Sequence, residues 1–187
     1  NQDIFTYIKN DDIESVKNYI NSGYDLNIKN NHGDTPLIYA TEKNKIEIIK
    51  LLLNAGADIN KRNDTVDTAL IIAAFYNRIE IVKLLLSAGA DINQQNYNDK
   101  TALIIAALSN NIEIVKLLLN AGADIDKQTN DGYTALIIAA YNKKIEIVKL
   151  LLNSGADIDK QTNLGYTALI HAAFKNNKEI MELLLDY

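Results

Sequence analysis

The stretch TALIIAAYNKKIEIVKLLLNSG, residues 134–155, occurs in closely related form one period earlier and one period later. The period is 33 residues, and no insertion or deletion interrupts it. A fixed period of this length is typical of stacked repeats, in which each unit buries its apolar face against its neighbours. The threonine that opens the pattern and the glycine that closes it recur in phase: Thr35, Thr68, Thr101, Thr134 and Thr167, and Gly23, Gly56, Gly89, Gly122 and Gly155.

Each unit predicts two short helices. The threonine is a good N-cap for the first helix, and Pro36, the only proline of the chain, follows it at the first helical position. In the second helix of residues 134–155, Ile145, Val148 and Leu152 recur at the i, i+3 and i+4 spacing of one buried face. Helices of this length are marginal alone, so we expect stacking between units to stabilise them.

The turns follow the same phase. Asn ends the first helix in most units, which suits a left-handed backbone, but Lys143 stands at this position in one unit. Lys143 predicts mild strain or a different turn. Glycine occupies the tip of three interhelix loops, whereas Val66 and Asp99 replace it in the other two. Because a β-branched residue is poorly suited to positive φ, we expect a different turn at Val66.

The period divides residues 1–187 into one repeat domain. Residues 1–29 are a degenerate N-terminal capping repeat, in which Asn18 and Tyr19 stand where an inner unit has Leu51 and Leu52. A shortened C-terminal capping repeat has a more polar outer helix. The predicted units are 1–29, then the full repeats 30–62, 63–95, 96–128 and 129–161, then 162–187.

Composition narrows the possible functions. A net charge of -5 and a pI near 5.0 argue against nonspecific nucleic-acid binding, which requires clustered Lys and Arg. The apolar runs are too short to span a bilayer, so no membrane insertion is expected. The chain contains no cysteine, which is compatible with a cytoplasmic protein. We expect that location, or delivery into a host cell if the chain comes from an intracellular organism, and we expect a monomer.

These features together resemble the ankyrin repeat. The pattern runs through a turn loop, a Thr-x-Leu helix start, Ala-Ala, and Ile-Val-x-Leu-Leu-Leu-x-x-Gly-Ala-Asp-Ile-Asn, over essentially the whole chain. Residues 33–37, GDTPL, fit the family pattern most closely. The histidine that usually follows this leucine is replaced by isoleucine in every unit, at Ile38, Ile71, Ile104, Ile137 and Ile170.

The resemblance implies an all-α repeat solenoid: paired antiparallel helices with β-hairpin-like loops, stacked into a curve whose concave face is lined by the first helices. It also implies a scaffold that binds a partner protein through two sets of residues. We call them the hairpin tips and the helix ends, the latter at the exposed end of each first helix. The predicted protein-binding residues are Asp67, Tyr97, Lys100, Tyr133, Leu164 and Tyr166 at the tips, and Phe75, Tyr76, Leu108, Tyr141, Asn142, Phe174 and Lys175 at the helix ends.

The helix ends admit a second interpretation. Phe75, Leu108, Tyr141 and Phe174 recur at 33-residue spacing and predict an apolar stripe along the groove. The alternative is that these side chains only cover the seam between repeats. The unit 30–62 carries charged residues here, which shows that the position tolerates exposure and favours binding.

No pattern indicates catalysis. Asp-x-Asp pairs such as Asp124 and Asp126 are compatible with metal or acid–base chemistry, but the first Asp recurs in phase in every unit and is interpreted as structural. His32 and His171, the only histidines, have no phased partner. We therefore expect no enzyme activity, no cofactor and no bound metal.

Two further functions remain open on the residues alone. The chain is alternatively a targeting or regulatory ankyrin module of a larger enzyme or of a host-directed effector protein. A purely structural spacer is the third possibility, and it would have no saturable partner.

Overall fold

Paired helices recur along the chain at the 33-residue interval of the sequence. The structure, a computed structural model, describes residues 3–187, and within that range it contains twelve helices and no strand. The predicted all-α repeat fold is confirmed. The helices are α1 (Ile4–Lys9), α2 (Ile13–Asn21), α3 (Pro36–Glu42), α4 (Ile46–Asn54), α5 (Ala69–Phe75), α6 (Ile79–Ser87), α7 (Ala102–Leu108), α8 (Ile112–Asn120), α9 (Ala135–Tyr141), α10 (Ile145–Asn153), α11 (Ala168–Phe174) and α12 (Lys178–Leu185).

The predicted threonine caps are present in all five units that carry them. The hydroxyl of Thr134 accepts a hydrogen bond from the Ile137 amide at 3.2 Å, and the other four threonines make the same bond at 3.3–3.4 Å. Pro36 is the first residue of α3. Each cap satisfies an amide of the first turn, which has no partner within the helix.

Aliphatic and alanine side chains form the core. First helices pack on first helices and second helices on second helices, and the small Ala73 and Ala74 of α5 are fully buried between their neighbours. Ile48, Ile49 and Leu52 of α4 are also fully buried. Since burying one such aliphatic side chain contributes about 1.5–3 kcal/mol, contacts between helices stabilise the short helices.

The turn after each first helix keeps one backbone conformation. Asn110 has a φ of 60°, and Lys143 has a φ of 58° at the same position. Each of the two amides donates to the carbonyl three residues earlier, at 3.3 and 3.2 Å. The structure therefore supports the prediction of local strain at Lys143 rather than of a different turn.

The prediction of a different turn at Val66 is wrong. Val66 has a φ of 63°, and its amide donates to the Asn63 carbonyl at 3.1 Å, as the Gly33 amide donates to the Asn30 carbonyl at 3.0 Å. Asp99, with a φ of 52°, makes the same turn. The hydrogen bonds of the loop hold the hairpin-like turn at Val66, so the strain of a β-branched residue is accepted there.

Side-chain oxygens link each unit to the next through an Asn/Asp ladder. The Asn60 side chain accepts a hydrogen bond from the Asp91 amide at 2.9 Å, and the Asn93 side chain accepts one from the Asp124 amide at 2.8 Å. Asp126 does the same for the Asp157 amide at 2.9 Å. The carboxylates of the phased residues Asp58, Asp124 and Asp157 each accept a hydrogen bond from the amide two residues later, so these side chains serve loop geometry.

The chain divides into two compact units after Asp91. The N-terminal unit comprises α1–α6 and the C-terminal unit comprises α7–α12. No helix within residues 3–187 is both long enough and apolar enough to cross a membrane. The repeat boundaries and the single domain expected from the period stay predictions.

Candidate protein-binding surface

In the N-terminal unit, the hairpin tips are joined by charged and polar pairs. The Lys29 ammonium contacts the Asp64 carboxylate at 3.0 Å, and the side-chain amide of Asn63 donates to the Asp34 carboxylate at 2.9 Å. The carboxylate of Asp67, one of the predicted binding residues, accepts a 2.6 Å hydrogen bond from the Thr65 hydroxyl within its own turn. Much of the hydrogen-bonding capacity of these tips is thus used inside the loops.

In the C-terminal unit, neutral amides join the tips. The Gln128 side chain donates to the Gly132 carbonyl at 2.6 Å and to the Gln161 carbonyl of the next loop at 2.9 Å. Asn163 donates its side-chain amide to the Asn130 carbonyl at 2.7 Å. A Cβ atom on Gly132 would lie 2.8 Å from the Thr162 Cα, so only glycine fits this contact. The tips are held without charge, and their aromatic side chains stay available.

A cleft of about 750 Å³ lies between two successive tips of the C-terminal unit and the first helices behind them. Leu108 and Ile138 supply its apolar wall, and Tyr97, which is 78% exposed, stands at its edge. Lys100 and Asp131 place one charge of each sign in it. The complete lining is Tyr97, Asn98, Lys100, Leu108, Thr129, Asn130, Asp131, Tyr133 and Ile138.

An aromatic cluster surrounds His171 of α11 and adjoins this cleft. The rings of Tyr133, Tyr141 and Tyr166 lie with their centroids 5.5, 5.5 and 5.7 Å from the His171 ring. Phe174 packs on Tyr166 at 5.4 Å, with the two rings edge to face. Tyr133 belongs to both the cleft and the cluster, so the two features form one continuous surface.

His171 is the buried polar centre of the cluster. Only 5% of its surface is exposed, and its Nε2 atom has no hydrogen-bond partner in the described part of the chain. Burial lowers the pKa of His171 below its ordinary value, and the nearby Lys175 ammonium lowers the pKa further. We therefore expect a neutral imidazole at pH 7.

Lys175 extends over this surface. Its ammonium lies 4.0 Å from the centroid of the Tyr141 ring, within the range of a cation–π contact. Tyr141 is 42% exposed and Phe174 is 68% exposed, although each also contacts a ring. The contact of Tyr141 with the following repeat shows that this side chain covers a seam and still presents a face to solvent.

The helix ends of the N-terminal unit are more self-contained. Phe75 and Tyr76 pack edge to face at 5.1 Å, and the Arg78 guanidinium lies over the Tyr76 ring. In the preceding repeat of the same unit, Lys43 pairs with Glu42 at 2.8 Å, and this hydrogen bond raises the pKa of Lys43. Phe75 is nevertheless 57% exposed, so an aromatic face remains open here.

The predicted site residues thus fall into four groups. The cleft brings together Tyr97, Lys100, Leu108 and Tyr133. The aromatic cluster contains Tyr133 again, with Tyr141, Tyr166 and Phe174, and Lys175 lies beside it. The third group, Phe75 and Tyr76, belongs to the N-terminal unit. Asp67 and Asn142 hydrogen-bond within their own loop and helix, and Leu164 is 75% exposed at its tip.

The two buried residues of this surface, Ile138 and His171, are absent from the sequence prediction. Ile138 is hidden by its phase, because an aliphatic residue at that position reads as core. The sequence does contain a signal for His171, because this histidine interrupts a column of isoleucines at Ile72, Ile105 and Ile138. A buried position that changes from isoleucine to histidine indicates a local change of chemistry.

No groups of three or more His, Asp or Glu side chains suited to a metal ion occur among residues 3–187.

A family model described as ankyrin repeats (three copies) matches residues 4–96 and 103–187. A search of curated proteins gave no match to an individual protein. With matching helix pairs, caps and turns along nearly its whole length, the chain belongs to the ankyrin-repeat family.

Proposed function

We propose that this chain is a protein–protein interaction module that binds a partner protein through its hairpin tips and the groove formed by its helix ends. Ankyrin repeats are generally modules of this kind. The observation that supports the proposal for this chain is the continuous surface of the C-terminal unit, where the cleft passes through Tyr133 into the aromatic cluster.

The chemistry of this surface suits protein binding. Aromatic residues dominate binding hot spots because a large rigid side chain buries much area at a small entropic cost. Tyr97 and Phe174 are among the most exposed large apolar side chains described, at 78% and 68%. Exposed apolar groups at successive repeats give a partner several anchoring points along one face.

Phe75 and Tyr76 form a second, smaller contact region in the N-terminal unit. Their rings pack on each other and remain 57% and 43% exposed. Since they occupy the same repeat positions as Leu108 and Ser109, we include them in the proposed binding surface.

The test is affinity purification from cytosolic extract with the wild type beside a Phe75→Ala/Tyr141→Ala double variant. We expect a saturable partner that is lost or strongly weakened only with the double variant. A Tyr24→Ala/Leu185→Ala double variant removes exposed apolar side chains outside the tips and helix ends, and it serves as the matched control. Identical partner lists for all three proteins would contradict the proposal.

Thermal unfolding of the same proteins separates binding from folding. If the rings act mainly in binding, the double variant stays folded and loses only the small amount of stability that the ring contacts of Tyr141 and Phe75 contribute. A large loss of stability would instead support the interpretation that these side chains serve the seam between repeats.

A further inference from the structure

The charges at the helix ends of the C-terminal unit are all of one sign. Residues 108–111, 141–144 and 174–177, which end the first helices and form the following turns, contain no Asp or Glu. They contain three lysines, Lys143, Lys144 and Lys175. Within the part of the chain that the structure describes, none of these three lysines makes an ion pair with a carboxylate.

At the helix ends of the N-terminal unit, the lysines are paired with carboxylates of the same unit. Lys43 pairs with Glu42 at 2.8 Å, and Lys45 pairs with Asp11 at 3.4 Å. The Arg78 guanidinium donates to the Glu42 carbonyl at 3.3 Å. The charges of Lys43 and Lys45 are therefore paired within the N-terminal unit, whereas Arg78 and the three lysines of the C-terminal unit have no carboxylate partner among the described residues.

Lys175 is the lysine that the structure places on the proposed binding surface. Its ammonium lies over the Tyr141 ring, and Tyr141 contacts the same His171 that Tyr133 of the cleft contacts. Because His171 is held neutral, the positive charge at this end of the surface comes from lysine alone. In the cleft itself, Lys100 and Asp131 offset each other.

We infer that the C-terminal unit binds an extended peptide segment of a partner protein in which an Asp or Glu side chain lies close to a large apolar side chain. The apolar side chain enters the cleft against Leu108 and Ile138, and the carboxylate pairs with Lys175. This inference rests on the proposed function and adds the chemistry of the partner to it. Charge complementarity argues for it, because Lys175 has no carboxylate partner within the described part of the chain.

The probe is a display library of random dodecapeptides selected on the whole chain. We expect the enriched peptides to combine Asp or Glu with Leu, Ile, Phe or Trp a few residues away. Selection on a Lys175→Glu variant should lose this preference and enrich Lys or Arg instead. Lys116→Glu makes the same change of charge on the outer helix α8 and should leave the selection unchanged.

A double-mutant cycle then tests the proposed pair directly. One enriched peptide is synthesised with both ends blocked, which removes the terminal carboxylate as a source of charge, and again with each acidic residue changed to its amide. Lys175→Gln should weaken the acidic peptide about two- to fivefold, as expected for an exposed ion pair, and should not affect the amide peptide. Thermal unfolding of Lys175→Gln checks that the variant is folded.

Each of the following results would count against the inference. Selection of apolar peptides without acidic residues, or of acidic peptides whose binding does not depend on Lys175, would show that the carboxylate pair is wrong. If Tyr97→Ala/Leu108→Ala still abolished binding of those peptides, the proposed function would stand. Failure to select any peptide, or selection unaffected by Tyr97→Ala/Leu108→Ala, would count against both. Binding of an oligothymidylate that depends on Lys175 but not on Leu108 would point to nucleic acid instead.

Discussion

The N-terminal and C-terminal units share one backbone design but differ in how they satisfy their surfaces. In the N-terminal unit, Lys29–Asp64, Lys43–Glu42 and Lys45–Asp11 pair charges at tips and helix ends. In the C-terminal unit, glutamine amides hold the tips, and tyrosines gather around His171. The comparison shows that the repeat backbone does not determine the chemistry of its surface positions. The same positions can form ion pairs with one another or present an aromatic, cationic face to solvent.

The largest expected effect tests how tightly the tips of the C-terminal unit are held. Gly132→Val places a β-branched residue at a φ of 82° and a Cβ within 3 Å of the next loop, so we expect a loss of at least about 3 kcal/mol in the free energy of unfolding. Urea unfolding followed by circular dichroism measures this loss. At Gly165, where a Cβ meets only the Gln161 side chain at 3.9 Å, the same substitution should cost clearly less.

A smaller effect separates the two exposed helix ends. Tyr141→Ala removes an edge contact with His171 of the next repeat and should cost about 1–2 kcal/mol, whereas Phe75→Ala removes a contact within its own helix end and should cost less. Equal costs in urea unfolding would mean that the two units treat this position alike. The binding experiment above remains valid for Phe75 in either case.

The turn at Val66 provides the opposite test in the N-terminal unit. Val66→Asn replaces a strained β-branched residue with one that tolerates a φ of 63°, so we expect a gain of about 1 kcal/mol. Chemical denaturation of the wild type and the variant measures it. No gain would show that the valine side chain contributes packing equal to its backbone strain.

The pH dependence of stability sharpens the contrast at His171. Burial and Lys175 lower the folded-state pKa below the ordinary 6.5, so the unfolded chain takes up the proton first as the pH falls. The stability that neutral His171 allows is fully present above about 6.5 and is lost as the pH falls through the folded-state pKa. His171→Ile, which restores the residue found at Ile138, should remove this contribution and unfold less readily at pH 5 than the wild type.

The melting temperatures of both proteins across pH 5–8 check this prediction. The difference between them should widen toward acid pH and level off above neutrality. A constant difference would show that the imidazole does not change its charge on unfolding in this range.

Local signals explain what the sequence predicts correctly. Thr134 as a cap and Asn110 at positive φ depend only on residues a few positions away, so the pattern is sufficient. The prediction at Val66 is wrong because the hydrogen bonds of its loop override the preference of the residue. Local preference is a weak guide wherever the surrounding structure imposes a conformation.

The proposed binding surface is only half predictable for a related reason. Phase identifies Tyr133, Tyr141 and Phe174 as exposed positions, but it does not tell which rings meet. The rings meet at His171, and its role depends on distances between side chains of two successive repeats. A periodic pattern predicts columns of residues well, and contacts across columns depend on side-chain geometry.

The Asn/Asp ladder bears on how such a chain lengthens. Each rung joins a side chain to an amide 31 residues later, for example Asn93 to Asp124 and Asp126 to Asp157. A tandem gene duplication of one whole period therefore re-creates every donor and acceptor at its junction, wherever the breakpoints fall. Asn and Asp are interchangeable as the acceptor, so repeats from different positions can be exchanged without loss of the rung.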